Sequence, residues 1–141
     1  MMEHRFRGKR IDNGEWVYGY YVHQATTTIY GEIKWLHTIY VPNEAGFTDH
    51  FIVDPETVGQ YICQKDCHGK DIYEGDVVPQ GDNYPSVIEW QCNREQDEFI
   101  GFHLHEIYPK GEPDRWHSMF AYTSELEVIG NRYENPELLK P

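Results

Sequence analysis

Turn-forming residues interrupt this chain so often that little room remains for anything but short strands. EWVYGYYV (15–22) follows the turn signal DNG (12–14), and its aromatic and β-branched residues suit a pleated surface. TTIYGEIKWL (27–36) and HTIYV (37–41) are two further β-type stretches, with Gly31 placed as a bulge or bend. PNEAGFTDH (42–50) reads as a loop. FIVDPE (51–56) reads as a short strand that stops at Asp54-Pro55, because a residue before proline is pushed to extended geometry. TVGQYIC (57–63) returns to strand. In KDCHGKD (65–71), Asp66 and Gly69 hold the first and fourth places that a type I turn favours.

The second half repeats the pattern. DIY and DVV flank Gly75, PQGDNYP (79–85) is a loop, and SVIEWQC (86–92) with FIGFHLHEI (99–107) reads as a hairpin pair. ELEVIGN (125–131) is a last strand. NPELL (135–139) is one helical turn, with Asn135 as its cap and Pro136 at the first helical position. Only RWHSMFAYTSEL (115–126) shows helical periodicity, and a short helix carrying Trp116 and Phe120 inward is expected there. The fold class expected is mainly β with short helices.

A chain of 141 residues is the size of one domain or of two small lobes. It buries about two thirds of its unfolded surface, so it needs no disulfide staple. The three cysteines, Cys63, Cys67 and Cys92, are an odd number and are expected to be reduced thiols. No apolar run approaches the length of a membrane span. MMEHRFRGKR has no apolar stretch after its basic residues, so a signal peptide is not expected and a cytoplasmic location is.

The net charge of −12 is unevenly spread. Residues 1–70 hold nine acids and seven Lys/Arg, net −2; residues 71–141 hold fifteen and five, net −10. An acidic half repels phosphate, and groove binding requires a basic stripe. Arg5, Arg7, Lys9 and Arg10 are too short a cluster to make a nucleic-acid arm, so direct nucleic-acid binding is not expected.

Three constellations hold chemistry-capable side chains. In DIYEGDVV (71–78) three acids surround Gly75, and in an extended chain Glu74 and Asp76 share a face. The spacing does not fit a calcium loop, and the reading is a structural bend at Gly75 and Asp76, with glycine supplying positive φ. CQKDCH (63–68) offers Cys63, Cys67 and His68 as zinc ligands, but a fourth is needed and the spacing is unusual. In FHLHE (102–106), His103 and His105 point the same way on a strand and would bind a metal with Glu89 or Glu106 as a third ligand. The same alternation is what a half-exposed strand with Phe102 and Leu104 inward requires. No catalytic residue and no cofactor is expected, and no nucleotide-binding or serine-nucleophile motif is present.

Three blocks of this chain resemble the YopX family of phage and prophage proteins: FRGKRIDNGEWVYGYYV, VDPETVGQYICQKDCHGKDIYEGDVV and ELEVIGNRYENPELL. The family pattern in the middle block reads V-G-Q-Y-T-G, then a Lys-Asp turn ending in Gly-Lys, then I-Y-E-G-D. Here Ile62-Cys63 stands in place of Thr-Gly, and Cys67-His68 fills the turn. The resemblance implies a functionally uncharacterised, mainly β protein with a small barrel-like part. Two lobes are expected, residues 1–55 and 56–141, the second an SH3-like barrel closed by a short C-terminal helix.

The function expected is that of a non-enzymatic phage accessory protein in the bacterial cytoplasm. It would act by contact with a host or phage protein, and edge strands would also allow self-association into a homo-oligomer. Trp16, Trp35, Trp90 and Trp116 favour a contact surface, although Trp16 and Trp90 are assigned to the core. Two other classes compete: a metal-dependent hydrolase built on His103, His105 and nearby acids, and an acidic decoy that mimics DNA and occupies a host protein.

Overall fold

The computed structural model describes residues 5–80, 83–91, 101–106, 115–118 and 125–139. The fold is mainly β, and the described helical residues are two short 3₁₀ turns, Pro55–Thr57 and Pro136–Leu139. The chain divides into two compact units, residues 1–61 and 62–141. The division falls inside a strand, six residues past the Asp54-Pro55 step where the sequence suggests a break.

In the first unit, β1 (Phe6–Lys9), β2 (Trp16–Thr27), β3 (Ile33–Pro42) and β4 (Thr48–Ile52) form an antiparallel sheet in the order β4-β3-β2-β1. The start of β5 (Gly59–Lys65) lies beside β1, with Phe6 opposite Gln60 and Arg7 opposite Gly59. The two stretches read separately at 27–36 and 37–41 resolve into one hairpin. Thr27 is opposite Ile33 and Tyr20 opposite Tyr40. Gly31, expected as a bulge or bend, closes the hairpin turn: its φ is +79° and its N–H donates to the Thr28 carbonyl at 2.9 Å. Such a turn needs a left-handed residue at that place, which glycine supplies without steric cost. The expected loop 42–50 shortens to a turn on Asn43, because Thr48–Ile52 pairs with β3. Ile39 and Val53 are fully enclosed, at 0% and 1% exposure.

In the second unit, the end of β5 is followed by β6 (Asp71–Tyr73), then β7 (Asp76–Gln80), β8 (Asn83–Gln91), β9 (Gly101–Glu106), β10 (Arg115–Ser118) and β11 (Gly130–Asn131). The last five form an antiparallel sheet in the order β10-β9-β8-β7-β11. Their core is Ile72, Val78, Ile88, Leu104 and Leu126, with Ile62, Phe102 and Val128 packed against it. The hairpin of β8 and β9 matches the sequence reading, with Ile88 opposite Leu104.

Other expectations are corrected here. The short helix at 115–126 is not formed over Arg115–Ser118, which pair with β9 as a strand. Backbone pairing to a strand already present outweighs weak helical periodicity; residues 119–124 lie outside the described residues. ELEVIGN contributes only the two-residue β11, and NPELL is a 3₁₀ turn, not an α-helical one. The described strands of the second sheet run in a linear order from β10 to β11.

Candidate functional site

Each acid of DIYEGDVV is held by a different neighbour. The Asp71 carboxylate meets the Lys65 ammonium at 2.6 Å. Glu74 accepts the Trp90 N–H at 3.1 Å, and Asp76, 1% exposed, accepts the Tyr73 N–H at 2.8 Å. Gly75 has φ +93°, donates to the Ile88 carbonyl at 2.7 Å and accepts from the Arg132 N–H at 3.0 Å. Thus β8, which extends past the end of its pairing with β7, has its outer backbone groups met by the corner at residues 74 and 75. In these bonds Glu74 and Asp76 are turned to two separate strands.

On the β8–β9 hairpin, Glu89 is directly opposite His103, but its bond runs diagonally to His105. One carboxylate oxygen is 3.1 Å from His105 Nδ1, and the other is 2.7 Å from Arg132 Nη1. All three side chains are partly buried. The His103 ring turns its Nδ1 to the Gly101 carbonyl at 2.9 Å. Strand alternation places Glu106, the other acid considered as a metal ligand, on the Leu104 side, where it is 2% exposed. Of the expected ligands, the fold therefore joins His105 and Glu89, and adds a guanidinium instead of a third ligand. Arg132 was not singled out by sequence, and its distance of 43 residues from Glu89 left no local signal. A carboxylate set between a cation and an imidazole orients the ring and holds the strands in register.

The segment of Cys63, Cys67 and His68 is organised by an aspartate. The Asp66 carboxylate accepts the N–H groups of His68 and Lys70, both at 2.9 Å, and of Val128 at 3.1 Å. Burial pushes its pKa up; the backbone donors of Lys70, Val128 and His68 outweigh this and hold it below the usual value. Gly69 closes the turn onto the Asp66 carbonyl at 3.0 Å. Cys63 and Cys67 are exposed, and His68 Nε2 faces Glu127 at 3.2 Å. Cys92 lies outside the described residues. Among the described residues there is no group of three or more His, Cys, Asp or Glu that could hold a metal ion.

The basic cluster is applied to aromatic rings. Arg5 lies over Tyr61 at 4.8 Å, Arg7 over Trp16 at 4.7 Å and Arg10 over Phe51 at 4.4 Å; Lys9 also approaches Trp16. Arg7 is only 5% exposed, and Arg10 is paired with Asp12. These cations serve the sheet more than they present charge to solvent.

Among the described residues, several of the most exposed large apolar side chains lie on the β2–β3 hairpin. β1 pairs with β2 only as far as Gly19, and β4 pairs with β3 only from Thr38. Beyond His23 and His37 the described strands form a ribbon two strands wide. Its outer part carries Ile29, Tyr30, Ile33 and Trp35 at 92, 85, 67 and 61% exposure. Trp90, assigned to the core by sequence, is 47% exposed and meets Phe102 edge-on. Trp16 is half-buried under Arg7.

Two antiparallel β units define a class of small β scaffold. The chain belongs to the YopX family, whose model, described as YopX protein, matches residues 5–140. A solved structure to which it is similar is the crystal structure of protein EF1440 from Enterococcus faecalis. That likeness has 19% identity, covers 99% of this chain and 100% of the other, and has a TM-score of 0.42. No curated protein matches the chain. Among the described residues no helix is long and apolar enough to cross a membrane.

Proposed function

We propose that this is a phage or prophage accessory protein that acts without catalysis, by protein–protein contact in the bacterial cytoplasm, and that the β2–β3 ribbon is its contact element. The single observation that carries this reading is the ribbon's outer end. Four large apolar residues are more than 60% exposed on a part of the sheet only two strands wide among the described strands. An isolated two-stranded hairpin is marginal in water. Covering such a surface with a partner removes apolar area from solvent at roughly 25 cal/mol per Å². Tyr and Trp at the centre of a contact favour tight anchoring.

The test is affinity capture from host lysate with the wild-type chain and with a variant carrying Ile29→Ser, Tyr30→Ser and Trp35→Ser. A partner held by the wild type in high salt and lost by the variant supports the reading. A partner held equally by both counts against the ribbon. A partner released by salt alone points instead to the acidic decoy, since exposed charge attraction is screened.

A further inference from the structure

One face of the ribbon carries a ladder of rings that no function described so far uses. His23 and His37 are directly opposite each other on adjacent antiparallel strands. Their imidazoles are stacked, with centroids 4.2 Å apart and planes within 12°. Trp35 packs against His23 at 4.9 Å and Tyr21 against His37 at 5.9 Å. The Tyr21 hydroxyl is hydrogen-bonded to Nδ1 of His37. His23 is exposed and His37 is partly buried, so the pair opens to solvent.

We infer that His23 and His37 form a two-imidazole site for a divalent transition-metal ion. An imidazole binds such an ion at about 2.0–2.1 Å, so two ligating nitrogens of one ion are no more than about 4 Å apart. The centroid spacing of 4.2 Å brings the two rings within that reach, with their in-plane lone pairs parallel in the stack. Rotation about the ring torsion, which is broad for histidine, lets the two lone pairs converge. The strand pairing pre-orients both donors, so the second bond forms within one molecule and is favoured by effective concentration. Tyr21 supplies the supporting contact that metal-bound histidines commonly have. With the ion on Nε2 of His37, the ring proton moves to Nδ1, and the Tyr21 hydroxyl accepts it. Nitrogen donors bind in the order that places Cu²⁺ ahead of Ni²⁺ and Zn²⁺, with water in the remaining positions.

The probes are CuCl₂ and NiCl₂ alone, titrated into the full chain by calorimetry and by quenching of Trp35 fluorescence. The proteins are wild type, His23→Gln, His37→Gln, the double variant and His50→Gln. The inference expects one ion per chain. Each single variant at 23 or 37 should bind at least about tenfold more weakly. The double variant should lose less than the sum of the two single losses, because either single change already breaks the chelate. His50→Gln should bind as wild type. Singles that bind as wild type, or losses that simply add in the double variant, overturn the site. A measurement on the unaltered chain keeps the test independent of variant folding. Substoichiometric Cu²⁺ should broaden amide NMR signals of residues 21–25 and 35–39 first, and broadening centred elsewhere overturns the site.

Discussion

Gly75 shows how one residue can hold a corner. At φ +93° any side chain is strained, and a Cβ there would stand 2.8 Å from the Tyr133 ring. Gly75→Val should therefore destabilise by about 1–3 kcal/mol, read as a lower midpoint in urea. Cys63 is the opposite case. It is the non-glycine residue at positive φ among those described, at +63°. Cys63→Gly should raise stability by roughly 0.5–1 kcal/mol, since the left-handed region costs a Cβ-bearing residue about that much or more. An unchanged melting temperature would show that the strain is relieved elsewhere. Asp66 should register in acid. Its folded pKa lies below its unfolded one, so the stabilisation is present above the ordinary carboxylate pKa of about 4. It is lost as pH falls through the lowered folded value. The stability gap between wild type and Asp66→Asn should be widest near neutrality and shrink below about pH 4, which urea midpoints from pH 7 to pH 2 would track.

At the scale of elements, the sequence was most informative where chain-local rules decide. DNG, KDCHG and Asn135-Pro136 all mark turns seen in the fold, because turn geometry depends on adjacent residues, although the Asn135 side-chain oxygen accepts the Asn131 N–H and does not cap the 3₁₀ turn. It was least informative where a distant strand decides. Arg115–Ser118 became a strand because β9 offered backbone partners, and Arg132 reached Glu89 because β11 pairs with β7. The β2–β3 hairpin was divided at the wrong place for the same reason: Gly31 serves a turn only if both flanking stretches pair with each other. The ribbon should also differ in dynamics from the sheet it leaves. Amides at 24–27 and 33–36 should exchange with deuterium faster than those of residues 38–40, which are paired with both β2 and β4. Binding of a partner should slow them. Equal protection along β3 in the free protein would show that the outer ribbon is already covered.

At the scale of the molecule, charge and burial set different terms. The excess of acids in residues 71–141 creates self-repulsion that opposes the compact state. Raising ionic strength from about 0.01 to about 0.15 M should therefore raise the melting temperature, as the screening length falls from about 30 to about 8 Å. A lower melting temperature in salt would mean that specific ion pairs such as Glu89–Arg132 outweigh the general repulsion. The mainly β class, the position of most turns and the family membership were all legible in the sequence, because period-two alternation and turn chemistry are properties of neighbouring residues. Which of His103 and His105 meets Glu89, which tryptophans stay in water, and the meeting of His23 with His37 were decided only by strand register. Register brings together side chains far apart along the chain, and a shift of one residue would turn every one of them to the other face.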